Sequence, residues 1–145
     1  MYIKANNEIV EKYPYSIGQL RKDNPNTSFP KNLSDSLLAE WGVFPCTIVE
    51  QPFYDPLVSL LKQDTPQLVG SNWAVGWVVE NIPLEDAKSN VRNTRNCLLA
   101  ESDWTQVADA PVNKAAWATY RQALRDITAQ EGFPFNVTFP TQPTV

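Results

Sequence analysis

Three aspartates in the C-terminal half are the side chains best placed to do chemistry: Asp103, Asp109 and Asp126. A pair of carboxylates on either side of a glycosidic bond can hydrolyse it, one acting as acid and the other as base or nucleophile. Each aspartate has a simpler explanation, since Asp103 and Asp109 suit the capping of backbone N–H groups and Asp126 the solvated side of a helix. A catalytic site needs convergent groups with defined roles. We therefore expect no catalytic residues and no enzyme.

The composition also gives little support for a metal site or a disulfide bridge. The 145-residue chain has no histidine, which is the commonest metal ligand and the side chain that titrates nearest neutral pH. Its two cysteines, Cys46 and Cys97, are far apart in the sequence and match no zinc-binding spacing. Free cysteines are often simply part of a core, so we expect two buried, reduced thiols rather than one bridge. We expect no metal and no cofactor.

Tryptophans offer a third kind of site. Trp73 and Trp77 fall on one face of a predicted strand, and Trp104 lies in a predicted loop. Exposed aromatic rings can stack on sugars, but large aromatics more commonly fill cores and interfaces. Core packing is the favoured interpretation of Trp73 and Trp77, and a carbohydrate platform is the alternative.

Charge and hydropathy exclude two classes of partner. Twelve basic and sixteen acidic residues give a net charge of −4, and the densest basic run is Arg21-Lys22, so the clustered cations that nucleic acid requires are missing. No segment approaches eighteen uninterrupted apolar residues, and the N-terminus has no apolar signal region. We expect a soluble chain without a cleaved signal that binds neither nucleic acid nor membranes. Its 43% hydrophobic and 11% aromatic content predicts a folded protein.

The first 82 residues predict a small α/β region. A weak strand over residues 2–10 should end at Pro14, and two short helices should follow Ser16 and Ser34, whose hydroxyls can cap them. The second helix should end at Gly42 in the left-handed conformation. A strand is expected over residues 43–50. A β-hairpin should follow over residues 67–80, because Gly70-Ser71-Asn72 is turn sequence between two β-type runs.

The remaining residues, 83–145, predict a helical hairpin with a tail. One helix should cover residues 83–100, and a second should start after Asn113 as N-cap and run to about Gln130, giving an antiparallel αα-hairpin. Arg121 and Asp126 are assigned to the solvated side of the second helix. After Gly132, three prolines predict an extended tail that cannot enter the centre of a sheet. The overall prediction is an α+β fold with domains at 1–82 and 83–145. Apolar spacing predicts the core of the hairpin, which comprises Leu98, Leu99, Trp117, Tyr120, Leu124 and Ile127.

The segment from Arg95 to Pro143 resembles the phage tail assembly chaperone family and the related tail-fibre assembly proteins. The pattern consists of an Arg-x-x-Leu-Leu helix end, a Ser-Asp-Trp-Thr-Gln loop, an Asp-x-Pro, a Trp-x-x-Tyr-Arg-Gln-x-Leu-Arg-Asp helix and an aromatic-Pro-x-x-Pro end. Here these are Arg95 with Leu98-Leu99, Ser102 to Gln106, Asp109 to Pro111, Trp117 to Asp126 and Phe139 to Pro143. Two positions depart from the pattern, because Phe139 stands where Trp is usual and Thr128 where Pro is common.

The resemblance implies a non-enzymatic phage tail protein that docks on fibre, baseplate or tail-tube subunits. It would be made in the host cytoplasm and be present in the virion tail, in multiple symmetric copies, if it is retained. The alternatives are a transient tail-fibre assembly chaperone that is absent from the mature particle and, less favoured, a host-surface carbohydrate-binding module. The hypothesis places partner binding on the loop and the tail, at Trp104, Phe133, Phe135, Phe139, Pro140 and Pro143.

Overall fold

A computed structural model describes residues 1–144 and has the mixed α+β fold that the sequence predicts, with an N-terminal sheet and C-terminal helices. Two short 3-10 helices, Asp103–Gln106 and Asp126–Ala129, follow the last two α-helices. Among the described residues, the strands and α-helices in chain order are β1 (Tyr2–Asn6), β2 (Ile9–Tyr15), α1 (Ile17–Asp23), α2 (Asp35–Glu40), β3 (Val43–Ile48), β4 (Ser59–Gln63), β5 (Gln67–Val69), β6 (Asn72–Val75), β7 (Trp77–Asn81), α3 (Leu84–Glu101) and α4 (Lys114–Arg125).

The chain forms two compact units. Unit 1 consists of Met1–Phe53 and Leu61–Val78. Unit 2 consists of Tyr54–Leu60 and the chain from Val79 onward. Segment 54–60 therefore packs with the helices that follow it much later in the sequence: the Leu57 carbonyl accepts from the Asn90 side chain at 2.9 Å.

Unit 1 is built on a five-stranded sheet with the order β2-β1-β3-β6-β5. Neighbouring strands are antiparallel except β3 and β6, which are parallel. β1 turns directly into β2 through Asn7 and Glu8, which both have positive φ angles, of 48° and 64°. Pro14 was expected to end the first strand, but it lies inside β2. That position is tolerated because β2 is an edge strand, where a missing N–H breaks no ladder hydrogen bond.

Helices α1 and α2 contribute to one core cluster of unit 1, and their predicted caps are confirmed. Ser16 accepts the Gln19 N–H and Ser34 accepts the Leu37 N–H. Gly42 follows α2 with a φ of +70°, as predicted. A side chain there would clash with the Ala5 carbonyl oxygen, which lies 2.7 Å from the position of a Cβ atom. The cluster's buried residues are Tyr15, Leu20, Leu38 and Val43.

The predicted β-hairpin is interrupted in its second arm. β5 and β6 pair in antiparallel fashion across the Gly70-Ser71 turn, but β6 ends at Val75. Gly76 lies between strands, its carbonyl accepting the Asp64 N–H at 3.0 Å, and β7 then pairs with β4 instead of β5. The single apolar face predicted for residues 73–79 is therefore divided between two strands.

The two cysteines differ in burial. Cys46 is buried in unit 1, whereas Cys97 is exposed on α3, and both are free thiols. The expectation of two buried thiols is wrong for Cys97, because it lies off the face of α3 on which Ala87 and Val91 are buried. Within residues 1–144, none of the helices combines the length and the apolar content needed to cross a bilayer.

Candidate partner-binding site

Helix α4 and the 3-10 helix that follows it supply a large part of the core of unit 2. Asn113 caps the helix as predicted, its side chain accepting the Ala116 N–H at 3.1 Å. Trp117, Leu124 and Ile127 are fully buried and Tyr120 is 5% exposed. They pack with Val58, Ala87 and Val91, and with the half-buried Leu98 and Leu99. The six residues predicted as the hairpin core are therefore in one cluster.

Arg121 lies beneath the loop that joins α3 to α4. It was assigned to the solvated side of the helix, but it is only 8% exposed. Its Nη1 donates to the Leu99 carbonyl at 2.6 Å and to the Ser102 hydroxyl at 2.7 Å, and its Nη2 donates to the Asp103 carboxylate at 2.7 Å. The last carbonyls of a helix lack the usual partners within the helix, and the guanidinium is a further donor to the Leu99 carbonyl, which also accepts from the Ser102 N–H at 3.2 Å.

The sequence did contain a signal for this placement. Arg121 is four residues after Trp117 and three before Leu124, so it shares the buried face of α4. Charged residues are rarely buried without a partner, and the sequence gives no sign of which groups would bind the guanidinium. Asp103 was expected to cap backbone N–H groups; among residues 1–144 its carboxylate instead accepts from Arg121.

Two hydroxyls complete the support of the loop. The Ser102 Oγ lies 2.8 Å from the Leu98 carbonyl and 3.0 Å from the Leu99 carbonyl, where it can donate its proton. Thr105, which is fully buried, donates to the Ser102 carbonyl at 2.6 Å. Hydrogen bonds from side chains, as well as those of its own backbone, therefore hold the Asp103–Gln106 helix in place.

These hydrogen bonds fix the backbone of a segment in which two large apolar side chains are exposed to solvent. Trp104 is 45% exposed and Val107 is 53% exposed, and the Val107 N–H donates to the Trp104 carbonyl at 3.2 Å. The inner part of the Trp104 ring packs on the buried Trp117 ring, with their centroids 6.2 Å apart. We call residues 103–107 the Trp104 ledge. Further along the loop, Lys114 donates to the Ala108 carbonyl at 2.6 Å.

The tail folds back onto the helices of its own unit. It reverses direction at Gly132, whose carbonyl accepts the Asn136 N–H at 2.8 Å. Phe133, Phe135 and Phe139 are half-buried and pack against the core cluster. The guanidinium of Arg92 lies 5.6 Å from the centre of the Phe133 ring, within the range of a cation–π contact.

Gln130 binds the returning tail through its amide. Its Nε2 donates to the Thr138 carbonyl at 3.0 Å, and its Oε1 accepts the Thr138 N–H at 2.8 Å. The side chain thus pairs with the tail backbone as a neighbouring strand would. Beyond it, Pro140 and Pro143 are half-buried. Among the residues predicted to bind a partner, Trp104 is the most exposed, and the tail residues each show only part of their surface.

Residues 88–144 match the family model described as phage tail assembly chaperone protein. This part of the chain is therefore similar to that family, and we refer to residues 88–144 as the tail assembly module. The match confirms the resemblance drawn from Arg95 to Pro143, and it contains the Trp104 ledge, Arg121 and the tail. No curated protein and no solved structure matches the chain.

Two of the three aspartates considered for catalysis are engaged in structural contacts. Asp103 pairs with Arg121, and Asp126 accepts from the Gln122 amide at 3.0 Å. Asp109 is exposed in the loop. The buried Tyr120 hydroxyl has a raised pKa, first because burial disfavours its charged form and second because Glu101 adds negative charge, so it stays a neutral phenol at physiological pH.

The tryptophans considered as a sugar platform are not all available. Trp73 is 6% exposed in the core of unit 1. Trp77 is half-buried, and its indole N–H donates to the Val49 carbonyl at 2.7 Å. Trp104, in the tail assembly module, is the exposed ring among the three. An exposed pair formed by Trp73 and Trp77 is therefore not present.

Proposed function

We propose that this protein is a non-enzymatic phage tail component that docks on fibre, baseplate or tail-tube subunits and is retained in the virion in several symmetric copies. The family match supports a place in tail assembly. The contact surface of the proposal comprises the Trp104 ledge and the exposed parts of Phe133, Phe135 and Phe139.

The observation that carries the proposal is the exposure of Trp104 and Val107 on a fixed backbone. Tryptophan is enriched among the residues that dominate binding energy at protein interfaces. Ordering a loop on binding lowers affinity, and here the loop is already held by Arg121, Ser102 and Thr105. A partner can bury both apolar side chains without that entropic cost.

The tail contributes to the same proposal in a second way. Its backbone is tied down by Gln130 and its aromatic rings pack on the core, so Phe133, Phe135 and Phe139 present fixed edges. Pro140 and Pro143 limit the conformations of the last residues, because a proline ring fixes its own φ angle.

A transient tail-fibre assembly chaperone is the second candidate, since the matched family is described as an assembly chaperone. Such a protein would cover an apolar surface of a fibre subunit through the same ledge and then leave. The two candidates share the docking surface and differ in whether the chain remains in the particle.

Cross-linking of intact purified tails followed by mass spectrometry tests the proposal. We expect the chain at structural stoichiometry, with cross-links from Lys114, whose ammonium group lies at the Trp104 loop, to one tail subunit. Finding the chain in infected cells but not in mature particles would replace the retained component with the transient chaperone. Recovery of the chain without cross-links to any tail protein, in particles or in cells, would contradict both candidates.

A further inference from the structure

Unit 1 contains a cavity of about 600 Å³ at one end of its sheet. The β1–β2 turn, the end of α2, the first part of β3 and the β5–β6 turn line it. It lies outside residues 88–144, so the family match assigns nothing to it. A cavity of this size is within the range of ligand sites in proteins.

Two carboxylates at this cavity are unpaired. Neither Glu8 nor Glu40 has a salt-bridge or side-chain hydrogen-bond partner among residues 1–144. Lys4 lines an adjoining depression that shares Glu40, but its ammonium group lies 4.0 Å from the Glu11 carboxylate. Both glutamates are exposed to solvent, so the cavity offers two solvated carboxylates that the described chain does not pair.

Both glutamates occupy positions that local preferences disfavour. Glu8 has a φ of +64°, which costs a residue with a side chain about 1 kcal/mol or more. Glu40 is the last residue of α2, and no basic residue lies in that turn; the carbonyl end of a helix repels an anion. Local rules are most often broken where function requires it.

An aromatic wall faces the same space. The Phe44 and Trp73 rings lie 6.4 Å apart at an angle of 37°, and both line the cavity. Phe44 is half-buried, so part of its ring is accessible. A planar guanidinium can stack on an aromatic ring and bind carboxylates through its fork of N–H donors, whereas an ammonium group is a more strongly hydrated point charge.

We propose that this cavity binds an arginine side chain of a partner polypeptide, with its guanidinium between Glu8 and Glu40 and against Phe44. The occupant is a polypeptide because the cavity is several times larger than one guanidinium group. Asn7 and Ser71 also line it and can bind the backbone of the residues beside the arginine. The net charge of −4 favours the approach of such a basic segment.

An NMR titration of the full-length ¹⁵N-labelled protein tests this inference. The probe is N-acetyl-arginine methylamide, with the corresponding lysine and alanine compounds as comparisons. We expect shifts of the Glu8, Glu40 and Trp73 signals with a dissociation constant of about 1–10 mM, the range of a single side chain. The lysine compound should bind more weakly and the alanine compound not at all. Equal binding of all three compounds, or no shift at the cavity with the arginine compound, would overturn the inference.

Glutamate variants distinguish binding at this cavity from attraction to the negative charge of the protein as a whole. Glu8→Gln and Glu40→Gln should each weaken binding of the arginine compound by about threefold or more, as expected for a partly exposed ion pair. Glu50→Gln removes an exposed carboxylate of the same unit that does not line the cavity, and it should change nothing. If Glu8→Gln disturbs its turn, Glu40→Gln and Phe44→Leu still decide the matter. Weakening by Glu50→Gln equal to that by Glu40→Gln would contradict the site.

Discussion

The Arg121 guanidinium donates to the Ser102 hydroxyl across 2.7 Å and so joins the middle of α4 to the end of α3. The same nitrogen reaches the Leu99 carbonyl. The bond to Ser102 is buried and the bond to Leu99 is partly buried, whereas the Asp103 side chain that binds the other nitrogen is 68% exposed. Exposed ion pairs contribute little, so the buried bonds, more than the salt bridge, hold the Trp104 ledge in place.

Replacing Arg121 by methionine should destabilise unit 2 by about 1–3 kcal/mol, because the buried hydrogen bond to the Ser102 hydroxyl is lost and the Leu99 carbonyl loses one of its donors. The loss is moderated because the Nε of Arg121 is buried without a partner among the described residues, and that unfavourable group is removed as well. Urea unfolding measures the change. Arg125→Met is the control, since Arg125 is exposed with one 3.3 Å bond to Gln122, and should stay within about 0.5 kcal/mol. Equal losses in the two variants would refute the anchoring by Arg121.

Replacing Trp104 by alanine should weaken binding to the tail subunit identified by cross-linking by about 2 kcal/mol or more, as for other interface tryptophans. Its effect on folding should be smaller than for a core tryptophan, because the ring is 45% exposed. Calorimetric titration gives the affinity and thermal unfolding the stability. Leu84→Ala, at a residue 48% exposed on the same unit, should leave the affinity unchanged. A Trp104→Ala variant with undiminished affinity would exclude the ledge as the docking surface.

Local chemistry predicted the α+β composition and several element ends, because capping and left-handed turns depend on neighbouring residues. Ser16, Ser34, Asn113 and Gly42 all act as expected. The division of the long β segment was missed because β7 pairs with β4, although β5 and β6 lie between them in the chain. The choice of a strand partner that is not the next strand leaves no trace in local propensity.

The candidate site was predicted only in part, because several of its contacts also depend on residues from other elements. The exposed Trp104 was identified from loop sequence, whereas the buried position of Arg121 depends on the carbonyl and hydroxyl groups of another helix. The contact of Gln130 with Thr138 likewise needs the tail to return. Each of these contacts joins residues whose pairing is set by tertiary structure. The spacing of Arg121 indicates the buried face of α4, but neither Arg121 nor Gln130 carries a local sign of its partner.

Gly132→Ala should destabilise unit 2 strongly, by about 2 kcal/mol or more, because the reversal of the tail leaves no room for a side chain. A Cβ atom there would overlap the Asn136 carbonyl oxygen and lie 2.9 Å from the Asn136 Cβ. Thermal unfolding measures the loss. Gly76→Ala is the matched control, because a Cβ at that glycine meets no atom within 4 Å. A Gly132→Ala protein as stable as the parent would show that the tail can reverse differently.

Gln130→Ala should release the tail locally at a cost of about 1–2 kcal/mol, since two hydrogen bonds to the Thr138 backbone are lost. Hydrogen exchange of the Thr138 amide measures this local release directly. Exchange should become faster by the factor that corresponds to the lost free energy. Gln122→Ala provides the comparison, because that side chain bonds only to neighbours along its own helix, Asp126 and Arg125. Protection of the Thr138 amide that survives Gln130→Ala would assign the anchoring of the tail to its aromatic rings alone.

Asp23 should make unit 1 less stable in acid. Hydrogen bonds from Gln19 at 2.7 Å and Tyr15 at 2.8 Å, followed by the Lys12 ammonium, lower the pKa of its carboxyl from 3.8 to about 2. Because the folded-state pKa is the lower one, the stabilisation is complete above 3.8 and is lost as the pH falls towards 2. Asp23→Asn should therefore lower the melting temperature at pH 7, and the difference from the parent should shrink below pH 4. The exposed Glu50→Gln should show no such convergence. A difference between Asp23→Asn and the parent that is the same at pH 7 and pH 2 would contradict the assignment.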